Sequence, residues 1–380
     1  MKKLIPFLIC LLLKISSAEP DVTELSHQWD VDLVREGIFR VSAPVLSSND
    51  GILVPMTASP VRGQFEDELI LVDQSGSKRK LEMGSKLKSK GSYIIGALPR
   101  RDGGWLALAG SSAGRLGVFT INLGGQSVFL HTTEIPSIGL RLRGALALSD
   151  GGTLVIGQEE SSPAALRLTS DGTVLWWKVF GEIGPGALVD AWEDERGDLL
   201  VAGTVSGEAS SLNGSRRIWL ARLSPKAEVL KSANHPGSAC ALLATGGHLP
   251  RVLSTERGTS VKVSKLNPDL SLTDQHTLDA KAFSLGRIPA VVTSDGRVAI
   301  LGVKDVMPEL IWFTEAGQKL ASVQIPGALP SLEAQLVRGD KDSVYAVVPL
   351  IPKARGAGAM ETGVRILKYF SPLKPASSAQ

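Results

Sequence analysis

Cysteine is nearly absent from this chain. Only Cys10 and Cys240 carry thiols among 380 residues, and Cys10 sits in an apolar run at the start. A chain that loses that run keeps one thiol and forms no internal disulfide, so burial and hydrogen bonding must hold its fold. Aromatic residues are also scarce at 5%. Basic stretches therefore lack the interleaved rings on which nucleic-acid bases stack. The histidines, His27, His131, His235, His248 and His276, are scattered, and none forms a ligand motif with another His or Cys. No serine occupies a nucleophile elbow, no glycine-rich loop has phosphate-cradling spacing, and no Asp/Glu pair has informative spacing. The sequence assigns no catalytic residue, no cofactor-binding residue and no metal ligand. Cys240, within SACALLA, reads as a small core residue.

Net charge is also small once its source is traced. The formal +3 includes Lys2, Lys3 and Lys14, the only charged residues before Glu19. Taking those three from the 41 basic residues leaves 38 against 38 acidic ones. No global charge draws the remainder to nucleic acid or to an anionic membrane. The opening MKKLIPFLICLLLKISSAEP has a basic start, an apolar run from Leu4 to Leu13 and small residues at Ser16–Ser17–Ala18. It predicts an export signal cleaved after Ala18 and a periplasmic or secreted mature protein. The run is too short to span a bilayer, and Ile9 before Cys10 is too large for the usual lipid-anchor pattern.

Long amphipathic helices are missing as well. After the leader the apolar runs are four to eight residues long, rich in Val, Ile and Leu, and separated by turn residues. Ser161–Val179, SSPAALRLTSDGTVLWWKV, reads as a strand, a Ser170–Asp171–Gly172–Thr173 turn and a returning strand. Similar hairpins recur along the chain, each after a simpler strand with its own turn. Gly51, Gly103, Gly151, Gly197, Gly246, Gly296 and the turn near Lys341 are spaced by 52, 48, 46, 49, 50 and about 45 residues. One such unit cannot bury both faces alone, so seven of them predict an all-β, seven-bladed β-propeller of four-stranded antiparallel blades over 19–370. The Pro/Ser-rich 371–380 is expected to be a disordered tail. The seventh unit lacks a fourth strand, and residues 29–33 are expected to supply it by pairing with 363–370.

Propeller geometry puts the loops between second and third strands on one rim, beside the connections that enter the inner strands. Pro55–Gln64, Thr204–Ser215 and Pro352–Thr362 are the long ones, which makes that rim the expected recognition surface. Arg216, Arg217, Lys353 and Arg355 are its candidate partner-binding residues. Two charged stretches have competing readings. Asp190–Asp198, DAWEDERGD, reads as a solvated turn or as a site for a cation or basic partner, and lacks the ligand alternation of a calcium loop. Lys78–Lys90 reads as a solvated outer strand and loop or as a polyanion-binding patch.

SDGGTLVIG…AALRLTSDGTVLWWKVFG and RGDLLVAGT…RRIWLARLSPKAEVL resemble the repeats of extracytoplasmic bacterial β-propellers, including quinoprotein-like (PQQ-like) ones. In those repeats a turn is commonly followed by Leu-Trp. Thr169–Trp176 matches it, while the turns at Ser75, Gly124, Pro225, Pro268 and Ala316 lack the tryptophan. The resemblance implies the fold, and no quinone or calcium ligand of that superfamily can be placed on this sequence. The function expected is non-catalytic binding of a protein or envelope ligand, without nucleic acid and without a membrane span. The alternatives are a glycan-active or quinone-dependent enzyme, which needs two carboxylates or a His and a carboxylate at the channel mouth, and a structural assembly subunit.

Overall fold

Both faces of most blades are apolar, and that pattern forces a ring. The computed structural model describes residues 27–372, apart from 37, 42–44, 47–50, 62–63, 82–92, 101–103, 111–114, 123–125, 137–139, 207–215, 245–248, 256–259, 283–285, 332–333, 340–341 and 356–358. The leader and its cleavage site, Lys86, Lys88, Lys90 and residues 373–380 lie outside the described residues.

The first strand, β1 (His27–Glu36), belongs to the last blade. Blade 1 has an inner strand in two pieces, β2 (Ile38–Val41) and β3 (Val45–Leu46), then β4 (Ile52–Val61), β5 (Gln64–Val72) and β6 (Lys78–Leu81). Blade 2 is β7 (Tyr93–Pro99), β8 (Trp105–Gly110), β9 (Arg115–Ile121) and β10 (Ser127–Pro136). Blade 3 is β11 (Leu140–Ala147), β12 (Thr153–Glu159), β13 (Ser162–Leu168) and β14 (Val174–Val179). A short 3₁₀ turn, Gly181–Ile183, leads to blade 4, which is β15 (Gly186–Glu193), β16 (Leu199–Ser206), β17 (Arg216–Leu223) and β18 (Val229–Pro236). Blade 5 is β19 (Ala239–Leu243), β20 (Arg251–Thr255), β21 (Ser260–Leu266) and β22 (Leu272–Lys281), with β23 (Gly286–Arg287) lying parallel to β19. Blade 6 is β24 (Ala290–Val292), β25 (Val298–Lys304), β26 (Met307–Phe313) and β27 (Lys319–Gln324). Blade 7 is β28 (Gln335–Arg338), β29 (Ser343–Pro349), the short β30 (Lys353–Arg355) and β31 (Ala359–Phe370), completed by β1. The chain is a seven-bladed propeller, and no helix among the described residues is long and apolar enough to cross a membrane.

The apolar core is distributed between the blades. Each of the seven blade-to-blade contacts holds its own cluster, as in Leu166, Leu168 and Leu108 between blades 2 and 3, or Ile300, Ile311 and Leu253 between blades 5 and 6. Middle strands are buried on both sides, and all six residues of WLALAG in β8 are buried. Outer strands are mostly exposed, as KRK in β6.

One turn geometry repeats on one face. The amide of the first residue donates to the carbonyl of the fifth in Asp73–Ser77, Leu148–Gly152, Thr169–Thr173, Asp194–Asp198, Ser224–Glu228 and Thr293–Arg297. The fourth residue takes positive φ, for example Gly172 at 87° and Gly197 at 80°. A single left-handed residue closing a small bulge explains the recurring Asp-Gly signal. A second glycine signal has another cause. Gly157 and Gly203 each stand fifth in β12 and β16, and a Cβ there would lie 2.1 Å from the Arg141 carbonyl and 2.7 Å from the Ala187 carbonyl. These glycines let the second strand approach the bulged inner strand.

Closure follows the expected splice. Trp29, Val31 and Leu33 pair with Lys368, Ile366 and Val364 in an antiparallel ladder. Asp32 accepts two hydrogen bonds from Arg365, at 2.7 and 2.8 Å, across that seam. Trp29 Nε1 donates to the Gln74 carbonyl in blade 1's outer turn at 2.7 Å. Trp176 Nε1 makes the corresponding bond to the Pro225 carbonyl in blade 4's turn at 2.9 Å. The tryptophan docking that the sequence showed in one blade therefore occurs in two, because the termini split the second instance. Trp177 packs between blades 2 and 3 while Trp176, next to it in the strand, packs between blades 3 and 4. Ser371, placed at the start of the tail from sequence, is nearly buried and bonded by Arg297 at 2.8 Å.

The Arg365 guanidinium holds the Asp32 carboxyl below its ordinary value, with burial opposing. Such a pair stabilises the ring above the unfolded carboxylate pKa and loses that contribution as pH falls through the folded one. Asp32 is partly exposed, so screening limits its worth. Asp32→Asn should lower unfolding free energy by about 1 kcal/mol at neutral pH. Urea unfolding across a pH series should show that difference vanishing below the ordinary Asp range.

Candidate functional site: the channel and its loop-bearing rim

The channel acquires its polar groups through bulges in the inner strands. In β7, β11 and β15 the register shifts at Ile95, Arg143 and Val189, so one extra residue bends each strand at the same level. The position after the bulge is Gly96 in blade 2, Gly144 in blade 3 and Asp190 in blade 4. A carboxylate thus stands where the neighbouring blades have only hydrogen.

Asp190 bridges two blades. Its Oδ2 accepts from the Leu242 amide of β19 at 2.8 Å, and its Oδ1 accepts from the Ala191 amide at 2.9 Å. Burial pushes its pKa up, against the opposing charge of Arg287 and the two amides. Arg287 enters from β23, which pairs with Ala239 and Cys240 of β19. Its Nη1 donates to the Arg143 carbonyl of blade 3 at 2.9 Å, so one side chain links the inner parts of blades 3 and 5. Burial draws the guanidinium below its ordinary value, opposed by Asp190. Asp190 and Arg287 are both half-buried. Above them Arg143 Nη2 reaches Gln158 Oε1 at 3.4 Å, and Gln158 Nε2 donates to the Glu160 carbonyl at 2.8 Å.

Neighbouring groups are less reactive or turned away. Burial and the Asp190 charge raise the Cys240 thiol far above its ordinary value, which leaves it a poor nucleophile. Burial and Glu160 raise the Glu159 carboxyl, while a hydrogen bond with Trp177 lowers it. Trp177 lies between blades 2 and 3, whereas Asp190 reaches toward blade 5. Among the described residues no three His, Cys, Asp or Glu side chains lie close enough to hold a metal. Two clefts beside the turns, one at Trp192, Arg222 and Asn267 and one at Arg251, Phe313 and Glu315, enclose ≈ 10 Å³ each, about one water.

The sequence candidates fall on the intended rim but apart. Arg216 and Arg217 begin β17 in blade 4, while Lys353 and Arg355 lie in β30 of blade 7, three blades on. Arg216 and Lys353 are exposed. Arg217 Nη2 donates to the Ile183 carbonyl at 3.1 Å, which ties blade 4 to the connection before it. The Arg355 side chain lies outside the described residues. The two pairs therefore mark separate sectors of one face.

DAWEDERGD is divided among three tasks. Asp190 enters the channel, Glu193 accepts from the Ser149 amide at 2.6 Å, and Asp194 and Asp198 both bind Arg222. Lys78 donates to the Asp32 carbonyl at 3.2 Å and Lys80 pairs with Glu68 at 2.5 Å, so the start of the basic stretch serves neighbouring strands. His27, His235 and His276 lie on outer strands, away from the channel. The sequence singled out neither Arg143 nor Arg287; the available signal was a charged residue within or just before an otherwise apolar inner strand.

No protein-family model matches this chain, and no curated protein does. Solved structures resemble it at the level of shape. A Bacteroides caccae protein of unknown function is 14% identical, with a TM-score of 0.44, over 69% of this chain and 92% of that one. Prolyl oligopeptidase B from Galerina marginata, bound to a 25mer macrocyclization substrate, is 11% identical with a TM-score of 0.51. That match covers 82% of this chain and 47% of the peptidase chain, so this chain spans about half the peptidase's length. At such identity the likeness is one of fold alone.

Asp190→Asn isolates the channel carboxylate while keeping an acceptor for Leu242. A folded pKa above the unfolded value means that Asp190 favours the folded state at low pH and loses that contribution as pH rises through the folded pKa. Urea midpoints of wild type and variant should therefore move in the wild type's favour on acidification toward the ordinary Asp range. A pH-independent difference would show that Asp190 does not titrate differently in the two states.

Proposed function

We propose that this chain is an exported propeller that binds a protein or envelope ligand on its loop-bearing rim and performs no chemistry on it. The asymmetry between the two faces carries this reading. One face is closed by the repeated five-residue turns, whose main-chain bonds leave little free to recognise anything. The other carries connections of unequal length, among them the nine residues 207–215 between β16 and β17. Unequal loops on a rigid ring suit recognition. The channel supports the non-catalytic part: both Asp190 oxygens accept backbone amides, which suits a brace between blades better than a proton-transfer group.

Export, as implied by the leader, sends this surface to the periplasm or beyond. Crosslinking pull-down from the native envelope, with a variant lacking 207–215 as control, tests the rim. Wild type should retain a partner that the deletion loses, and equal capture by both would remove the rim from the reading.

A second reading, an assembly subunit, is favoured by the outer strands of three successive blades. Val128 and Leu130 in blade 2, Leu175 and Val179 in blade 3, and Val229 and Leu230 in blade 4 are exposed, Val128 by 59%. Such an apolar sector is unusual beside the polar outer strand of blade 1. If these strands mediate assembly, sedimentation of the mature protein should show oligomers that Leu175→Glu with Leu230→Glu dissociates. A monomer at every concentration would exclude self-assembly through this sector.

A further inference from the structure

The two ends of the chain are fastened to the ring separately, each through a carboxylate and an arginine. At the first end, Asp32 of β1 accepts from Arg365 of β31. At the other, Ser371 sits between the inner turns of blades 6 and 7. Its amide donates to the Asp342 carbonyl at 2.9 Å, and its hydroxyl donates to Asp295 Oδ2 at 3.1 Å while accepting from Arg297 Nη1 at 2.8 Å. Arg297 Nε also pairs with Asp295 Oδ2 at 3.1 Å, and Thr293 Oγ1 donates to Asp295 Oδ1 at 2.5 Å. Asp342 joins the two turns, since its Oδ1 accepts from the Asp295 amide at 3.0 Å and from the Ser294 hydroxyl. Between these fastenings no covalent turn joins β31 to β1, so blade 7 is held by pairing alone.

We propose that blade 7 is an acid-released latch: acid frees β1 and the Ser371 end together while blades 3 to 5 stay closed. Asp32 is faced by Arg365 of β31, Lys353 of β30 and Lys78 of β6, with Asp30 on its own strand reaching Arg365 at 3.8 Å. Asp295 is faced by Arg297 of its own turn and by Asp342 of blade 7. The hydrogen bond from Arg365 holds the Asp32 carboxyl below its ordinary value. Burial pushes the Asp295 carboxyl up, but the Thr293 hydroxyl, the Arg297 amide and the Arg297 charge outweigh it and hold it low. A depressed carboxylate stabilises the fold above the unfolded pKa and loses that contribution as pH falls through the folded one. Both fastenings therefore fade in one window, below about pH 4. Asp73, Asp171 and Asp269 are also held low, but each bonds within its own five-residue turn, so protonating them loosens no blade junction. Asp190 has the opposite sign, and its link from blade 4 to blade 5 survives acidification. Release of β1 takes Val31 and Leu33 out of the seam and bares the edge of β31.

The test is amide hydrogen exchange on the mature full-length protein from about pH 7 down to about pH 3, corrected for the intrinsic exchange rate. Peptides covering β1 and β31 should lose about tenfold in protection at a pH where β12, β16 and β17 keep theirs. Asp32→Asn with Asp295→Asn removes both titrations. That variant should show the loss already at neutral pH and little further change on acidification. Ser371→Ala cuts the C-terminal fastening without removing a titrating group, which keeps the test open where the double variant does not fold. It should lower protection in β31 at neutral pH and leave β16 unchanged. Simultaneous loss of protection in all seven blades would overturn the proposal. So would a folded double variant with the wild-type pH response at β1, or unchanged protection in β31 of Ser371→Ala.

Discussion

The pairing of β1 with β31 is the constraint on which the rest depends. Each blade buries one face against its predecessor and the other against its successor, and an open chain of seven blades would leave two apolar faces in water. The seam between blades 7 and 1 buries Val31, Leu33, Ile52, Val54, Tyr345 and Ile366. It forms only when the two ends of the chain share a blade. Asp32–Arg365 fixes the register of that ladder, and Trp29 docks it onto the next blade's turn. A slip by one residue would turn Val31 and Leu33 out of the seam and replace them with Asp30 and Asp32.

Much of this architecture was legible because its cause is local. The fifty-residue period follows from four short strands and their turns, and the Asp-Gly signal from one left-handed residue in each turn. The splice of residues 29–33 onto 363–370 could be read from a strand count that came up one short. The second tryptophan dock was hidden for the same reason: Trp29 and the strand it pairs with lie at opposite ends of the chain. The need for glycine at 157 and 203 depends on how closely a bulged neighbour approaches, and no period reports that distance.

The channel was the least legible part. A β-bulge re-aims side chains without changing the number or spacing of apolar residues enough to show. Asp190 therefore read as one more acid of DAWEDERGD, although Glu193, Asp194 and Asp198 are spent on contacts to Ser149 and Arg222. Density of like charge in sequence did not translate into density in space. The reverse happened at Arg143, Asp190 and Arg287, which are distant in sequence and meet because the ring brings three blades to one axis.

The two faces divide the physical tasks. Turns on one face repeat the same main-chain bond, and contacts such as Trp176 to Pro225 and Lys178 to Ala227 dock each onto the preceding blade. This fixes the ring independently of what the opposite loops contain, so those loops can differ in length and composition without loosening the blades. The polar links at the centre add what apolar packing between neighbours does not supply. A cluster between adjacent blades constrains pairs, while Arg287 ties blade 5 to blade 3 and Asp190 ties blade 4 to blade 5. Polar links near the axis therefore help set how three blades stand relative to one another.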